Sequence, residues 1–231
     1  MDPPIPTPIE MQTSLKLFQL ISPSLPTGAF TYSQGLEWAV ECGWVSDRSS
    51  LFEWLESLLV TNHQELEIPL LKRLYHASCE KDLLGFAYWS TFLVACRETN
   101  ELRLEEKNRG RALARLLGDL DGEIAGAWLK IIRQCQAAGF AFAAARWGIE
   151  LEDALLGYTW SWLENMVMAA VKIVPLGQTT GQQVLADLVI RCSEVVEKGL
   201  EIEDEEIGGS CPASAIGSSL HETQYTRLFR S

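Results

Sequence analysis

The residues that most often bind metals or carry out catalysis are few in this chain and lie far apart. The three histidines are His63, His76 and His221, and none has a cysteine or second histidine at metal-ligand spacing. His221-Glu222 is followed by Tyr225 where a zincin motif places its second histidine. The acidic residues form no pair whose spacing predicts general acid–base catalysis. The sequence therefore predicts no catalytic residue, no metal site and no cofactor.

Residues 172–185 contain two glycines, as phosphate-binding loops do. A P-loop requires the pattern G-x-x-x-x-G-K-[ST], whose lysine reaches the phosphates. Here Gly177 and Gly181 are more closely spaced, and Gln182 stands where the lysine is needed. We therefore predict that this chain does not hydrolyse nucleotides. Gln178 and Gln182 either cap the ends of broken helices or contact a partner protein, and the sequence favours neither.

Residues 22–37 read S-P-S-L-P-T-G-A-F-T-Y-S-Q-G-L-E and differ from the helical sequence around them. Pro23 and Pro26 disfavour a helix, and Gly28 permits a left-handed backbone. Apolar residues continue through the loop, so it is not an ordinary solvated turn. It is either a tight, buried connection between two helices or a packed loop that carries function.

The last residues are aromatic and basic, whereas the end of a chain is usually polar. Tyr225, Leu228 and Phe229 lie among Arg227 and Arg230. Aromatic residues and arginine are the types that contribute most binding energy at protein interfaces. This composition predicts a tail that binds a partner protein.

Three segments together resemble the signatures of the urease accessory protein UreF family. They are residues 22–37, P-L-G-Q-T-T-G-Q at 175–182, and H-E-T-Q-Y-T-R-L-F-R-S at 221–231. The resemblance implies an all-α, often homodimeric protein without catalytic activity or cofactor. It also implies a chaperone and scaffold role in urease maturation. Family members bridge a UreD-type partner (also called UreH) on apo-urease and the GTPase UreG, so that nickel can be inserted.

The resemblance also implies which residues contact partner proteins, with the tail in the interface with the UreD-type partner. In the first signature they are Pro26, Gly28, Phe30, Tyr32, Gln34, Gly35 and Glu37. In the second signature they are Pro175, Gly177, Gln178, Gly181 and Gln182. In the tail they are His221, Glu222, Tyr225, Arg227, Leu228, Phe229 and Arg230.

Two other functions stay open. The chain could regulate the GTPase activity of UreG, and Arg109, Arg111 and Arg115 are conceivable arginine-finger donors, although no spacing identifies one. The chain could instead be an enzyme or a nickel store, which the scattered histidines disfavour.

Composition and charge limit the class of partner. The chain has 231 residues, of which 47% are hydrophobic, so it can bury a large core. Its net charge of −12 disfavours nucleic acid and anionic membrane surfaces as partners, and favours a basic protein partner or none. Six scattered cysteines, the absence of a signal-peptide pattern and the absence of an apolar run of membrane length predict the cytoplasm.

Hydrophobic periodicity predicts an all-α fold, a single-domain bundle of about ten helices at residues 10–197. A flexible lead-in is expected at 1–9, and an acidic linker with the partner-binding tail at 198–231. The first helix is predicted to run from Glu10 to Ile21 with Met11, Leu15 and Phe18 on its apolar stripe, which Leu17 and Leu20 widen. A second is predicted from Thr31 to Cys42.

Local signals predict how several helices begin and pack. Asp47 (or Ser46), Asp82 and Thr99 are expected to cap helices, and His63 to lie at a helix end. Gly110 in mid-helix indicates close approach of a neighbour, and the alanine-rich run 137–147 indicates the centre of the bundle. Glu101, Glu105 and Glu106 are expected to pair with nearby arginines on a solvated helix face.

Overall fold

The computed structural model describes residues 7–231, and every regular element in that range is helical, as predicted. The α-helices are α1 (Pro8–Ile21), α2 (Leu36–Glu41), α3 (Arg48–Leu58), α4 (Ile68–Cys79), α5 (Leu83–Ala95), α6 (Asn100–Leu120), α7 (Gly126–Ile132), α8 (Gln136–Arg146), α9 (Leu151–Ile173), α10 (Gln178–Glu201) and α11 (Pro212–His221). Two 3-10 turns lie at Ala29–Thr31 and Asp204–Glu206. Most of the lead-in predicted at 1–9 lies outside the described residues.

Helices α3 and α4 form one continuous rod, because Leu59–Glu67 joins them as a π-helix. Pro69 has no N–H to donate to the carbonyl of Glu65, one turn earlier. That carbonyl instead accepts a hydrogen bond from the N–H of Gly208 at 3.0 Å. The rod continues past His63, so the prediction that His63 lies at a helix end is wrong: its side chain is buried in the middle of the rod.

The centre of the bundle is α8, as its small residues predicted. Every residue from Gln136 to Ala144 is buried, and the helix packs against α4, α6 and α9. Gly110 of α6 lies against α7 and α8: a Cβ there would come within 3.1 Å of the Cys135 backbone. The close helix approach predicted at Gly110 is therefore confirmed.

The predicted helix caps are also confirmed. Asp47 accepts a hydrogen bond from the N–H of Ser50 at 2.9 Å and caps α3. Asp82 and Thr99 do the same for α5 and α6. These predictions succeed because a cap bonds to an N–H only three residues away in sequence.

Two helix predictions near the N-terminal end are wrong. Met11, Leu15 and Phe18 of α1 are exposed, and only the predicted Leu17 and Leu20 face inward, together with Ile21. Leu17 and Ile21 contact Gly157 of α9. The helix predicted to begin at Thr31 begins at Leu36, because Gln34 and Gly35 have left-handed backbones with φ of 52° and 85°. A left-handed backbone cannot continue a right-handed helix.

The glutamates of α6 that were expected to pair with arginines on a solvated face do include an i,i+4 pair, Glu105 with Arg109, but the face is buried, so the prediction that it is solvated is wrong. Glu101, Glu105 and Glu106 are 8%, 3% and 6% exposed. Glu106 pairs with Arg97 at 2.5 Å and also accepts a hydrogen bond from the Gln136 N–H at 2.8 Å. It thereby supplies a hydrogen-bond acceptor to the first turn of α8, where no local side chain caps the helix. These glutamates face hydrogen-bonding and charged groups of the same chain rather than water.

The region predicted as an acidic linker and tail contains regular structure. Helix α10 extends to Glu201, and α11 follows at Pro212–His221. Helix α11 packs against α2 and α6, which brings the residues that follow it back to the first signature.

Candidate functional site

The first signature and the tail, which the sequence treats as separate segments, are in contact. The carbonyl oxygen of Ser231 accepts hydrogen bonds from the N–H groups of Ser33 and Gln34, at 2.5 and 3.0 Å. The N–H of Arg230 donates to the carbonyl of Thr31 at 2.8 Å. The tail is therefore held along the loop by backbone hydrogen bonds that do not depend on side-chain identity.

Glu37 of α2 is the residue that holds most of the tail. Its carboxylate accepts hydrogen bonds from the N–H of Leu228 at 2.6 Å and the N–H of Phe229 at 2.9 Å. It also lies 3.1 Å from Nε2 of His221. Glu37 is 9% exposed, so these charge-assisted hydrogen bonds are shielded from water and each stabilises the tail more than a neutral bond would.

His221 lies between two carboxylates. Its Nδ1 is 2.7 Å from Glu101, on the opposite side of the ring from Glu37. Glu101 also accepts a hydrogen bond from Arg227 at 2.7 Å. We call Glu37, Glu101, His221 and Arg227 the Glu37 cluster. An ionised carboxylate can only accept, so both ring nitrogens donate only when the imidazole carries a positive charge. The cluster then contains two negative and two positive groups.

Glu222, the next residue, lies at the N-terminus of α6. Its carboxylate accepts a hydrogen bond from the N–H of Asn100 at 2.9 Å. A carboxylate at that end of a helix also interacts favourably with the helix dipole. Glu222 thus fixes the end of α11 against α6.

Gly35 is required by both its backbone angle and its surroundings. It adopts φ of 85°, and a Cβ there would lie 2.6 Å from the backbone nitrogen of Ser218 in α11. Only glycine allows α11 to approach the loop this closely. Glycine at this position therefore determines where the tail starts.

Gln34 connects the loop to the polar interior. Its amide nitrogen donates to Glu105 at 3.1 Å, and its oxygen accepts from Trp162 at 2.8 Å. Glu105 also pairs with Arg109 at 2.7 Å. Burial raises the pKa of Glu105 even though the Arg109 charge opposes that change. These contacts offset the cost of the left-handed backbone at Gln34.

A small polar cavity of about 40 Å³ lies behind Gln34. His63, Arg97 and Arg109 are among its lining residues, and burial lowers the pKa of His63 to about 4. Nδ1 of His63 and Nε of Arg109 have no hydrogen-bond partner among the described residues. The cavity is large enough for water, which could satisfy both atoms.

The predicted site residues differ in exposure. In the tail, Tyr225 is fully exposed and Leu228 is 64% exposed, whereas Phe229 is 5% exposed. The centre of the Phe229 ring lies 5.7 Å from Nζ of Lys172. In the first signature, Tyr32 is buried and Phe30 is exposed. Other predicted site residues that are exposed include Pro26, Gly177, Gln178, Gln182 and Arg230. Gly28 has a left-handed backbone with φ of 75°.

The second signature forms the turn between α9 and α10. Pro175 and Gly177 lie between the two helices, and Gly181 packs on Val171, where a Cβ would lie 2.5 Å away. None of these residues takes part in the hydrogen bonds or ion pairs of the Glu37 cluster. The structure thus joins the first signature and the tail, and leaves the second signature outside their hydrogen bonds and ion pairs.

Several residues of this site were not identified from the sequence. Glu101 and Glu105 are the most important, and they were expected to face solvent. Their spacing of one helical turn, with Asn108 on the next turn, places them on one face of α6. Asn108 donates to the Tyr32 hydroxyl at 3.4 Å. The only sequence signal for a buried polar face on α6 is this polar stripe beside an apolar one. The same pattern is typical of a helix face exposed to solvent.

The described part of the chain contains no group of three His, Cys, Asp or Glu side chains placed to share a metal ion. Across residues 7–231, no helix has both the length and the apolar character needed to cross a membrane.

Comparisons with known proteins identify the family. The UreF family model matches residues 45–189. A urease accessory protein UreF from Alcanivorax borkumensis is 54% identical over 222 residues, covering 94% of this chain and 97% of that protein. A protein of the same name from Alkalilimnicola ehrlichii is 49% identical, over 94% of this chain and 95% of its own length. Another, from Klebsiella pneumoniae, is 44% identical, over 94% of this chain and 97% of its own length. The chain therefore belongs to the UreF family of urease accessory proteins.

Proposed function

We propose that this chain is a non-catalytic scaffold and chaperone of urease maturation that works in the cytoplasm as a homodimer. It bridges a UreD-type partner (UreH) bound to apo-urease and the GTPase UreG, and the assembly inserts nickel into the urease active site. Nickel is the cargo of this assembly, and the chain needs no cofactor of its own.

The observation that carries the proposal is the contrast between Tyr225 and Phe229 in the tail. Phe229 is buried, whereas Tyr225 and Leu228 are exposed, so the Glu37 cluster holds the tail while two apolar side chains face outward. A segment ordered before binding loses less conformational entropy when its partner arrives. We assign Tyr225, Leu228 and Arg230 to the contact with the UreD-type partner.

The remaining signature residues divide by exposure. Phe30, Gln178 and Gln182 are exposed and are proposed to contact UreG or the second copy. Tyr32 and Gln34 bond to Asn108 and to Glu105 inside the protein. They act by fixing the loop that holds the tail.

A reconstitution tests the bridging role. The UreD-type partner and UreG, each purified alone, are mixed with and without this chain and separated by size-exclusion chromatography with light scattering. We expect one complex that contains all three proteins only when the chain is present. A complex of the UreD-type partner with UreG that forms equally well without it would contradict the bridging role.

A second candidate function is regulation of GTP hydrolysis by UreG. Arg111 and Arg115 are exposed, whereas the Arg109 side chain is only 18% exposed and is held in its pair with Glu105, so it is not available as a finger. An arginine finger raises hydrolysis by about 10³–10⁵-fold. The test is the single-turnover rate of GTP hydrolysis by UreG, measured without this chain, with it, and with its Arg111→Ala/Arg115→Ala variant. An unchanged rate favours the scaffold alone.

A further inference from the structure

Helix α5 has an unusual composition for a helix at the surface. None of its 13 residues is charged. Phe86 and Leu93 are fully buried on its inner face, while Leu84 and Tyr88 on the outer face are 84% and 58% exposed. A helix that is apolar on all sides is normally covered on all sides. The outer face of α5 therefore has the character of a surface that another molecule covers.

The exposed residues of α5 form one straight stripe. Leu84, Tyr88, Thr91 and Ala95 follow one another at spacings of four, three and four residues. This is the spacing by which one helix packs along another. Beside the stripe runs a groove of about 770 Å³ between α5, α6 and α7, whose apolar lining includes Val94 and Ile131. The shape and spacing fit a helix as the occupant.

The charges around the groove are all positive. Arg103 and Lys107 of α6 and Lys130 of α7 line it, and no lining residue is acidic. This is exceptional in a chain with a net charge of −12. Among the side chains that the structure describes, Lys107 and Lys130 make no ion pair, while Arg103 donates to the carbonyl of Arg97. Arg103 and Lys107 are one helical turn apart, so they match carboxylates one turn apart on a partner.

We propose that this groove, which we call the α5 groove, binds an amphipathic helix of a partner protein. That helix presents an apolar stripe to α5 and acidic residues to Lys107 and Lys130. Its binding is separate from the tail and the Glu37 cluster, so it does not depend on the function proposed above. A symmetric contact between two copies through this face would oppose the same cations, and like charges across an interface disfavour that arrangement.

The test uses the full chain and a designed probe. The probe is a fluorescein-labelled helical peptide with leucines at i, i+4, i+7 and i+11 and glutamates one turn apart on the flanks. A second peptide carries lysine at every glutamate position. Fluorescence anisotropy is measured at low and high salt. The variant Lys107→Glu/Lys130→Glu reverses the groove charges, and Lys16→Glu/Lys198→Glu makes the same charge change at exposed positions outside the groove.

We expect the acidic peptide to bind, more weakly as salt rises, and the basic peptide not to bind. Lys107→Glu/Lys130→Glu should weaken binding by about tenfold or more, while Lys16→Glu/Lys198→Glu should change it far less. Leu84→Ala/Tyr88→Ala, which removes exposed side chains only, should also weaken binding.

Equal binding of the two peptides, or binding that is insensitive to the groove charges, would overturn the proposal. Sedimentation of the chain alone gives the other decisive result. A dimer that Lys107→Glu/Lys130→Glu abolishes would show that a second copy, rather than a partner helix, occupies the groove.

Discussion

Glu37 and His221 are 184 positions apart in the sequence, and their side chains lie 3.1 Å apart in the folded protein. Glu37 ends the first signature, and His221 is both the last residue of α11 and the first residue of the tail. The same carboxylate accepts hydrogen bonds from two backbone N–H groups of the tail. One residue therefore links the loop at the beginning of the bundle to the segment proposed to bind the UreD-type partner.

Replacing Glu37 should release the tail. Glu37→Ala removes the acceptor of three hydrogen bonds, two of them from the N–H groups of Leu228 and Phe229, and a hydrogen bond to a charged group contributes about 1.5–3 kcal/mol. We expect hydrogen exchange at Leu228 and Phe229 to accelerate by at least about tenfold. Glu41→Ala, on an exposed position of the same helix, is the matched control. Unchanged exchange in Glu37→Ala would show that the tail is held by other contacts.

Gly35→Ala should destabilise the protein more than the same change at Gly43. Both glycines are left-handed, with φ of 85° and 80°, so alanine costs about 1–2 kcal/mol at each for the backbone alone. Only at Gly35 would the new Cβ meet α11, 2.6 Å from the Ser218 nitrogen, whereas Gly43 has open space. Urea denaturation of the two variants measures the difference. Equal losses would mean that α11 does not approach Gly35 closely.

Two glycines of α6 should respond to alanine with opposite signs. Gly118 has only an ordinary contact, 3.5 Å from Leu129, so Gly118→Ala should gain up to about 1 kcal/mol of helix propensity. At Gly110 the Cβ would meet the backbone of Ile132 and Cys135, so Gly110→Ala should lose stability, since backbone cannot move aside cheaply. Thermal denaturation distinguishes them. A stabilised Gly110→Ala variant would contradict the packing of α6 against α7 and α8.

His63 should make the protein less stable as the pH falls. Burial lowers its pKa from 6.5 to about 4 in the folded protein. Below pH 6.5 the unfolded chain gains a proton that the folded chain does not, so stability falls with pH and the effect levels off near pH 4. The full loss from this group is about 3 kcal/mol. The measurement is urea denaturation between pH 7 and pH 4.

His63→Gln should remove that part of the pH dependence, leaving the contribution of the carboxylates. His76→Gln is the control, because His76 is exposed and meets water in both states. A wild-type curve that matches the His63→Gln curve in slope would show that His63 is not buried in its neutral form.

The sequence predicted those features whose cause is local. The caps at Asp47, Asp82 and Thr99 and the close approach at Gly110 each depend on neighbouring residues or on the missing side chain of one residue. The burial of Glu101 was not predicted, because its cause lies in residues that are distant in the sequence. A glutamate on a helix is usually solvated, and only the fold reveals that His221 and Arg227 surround it.

The same distinction explains the rest of the site. Motifs in the sequence predict functional residues in both the loop and the tail, but no local feature indicates that Ser33 and Ser231 bond to each other. Likewise, α1 has apolar residues on two adjacent faces, and only the position of α9 decides that Leu17 is turned inward while Leu15 is exposed.

The affinity for the UreD-type partner tests the central claim most directly. It is measured by isothermal titration for the wild type, for Tyr225→Ala/Leu228→Ala, and for the control Ile190→Ala/Val189→Ala on an exposed part of α10. All four side chains are partly or fully exposed, so the fold should be retained. We predict a loss of about tenfold or more for the tail variant and little change for the control. Wild-type affinity in the tail variant would contradict the account.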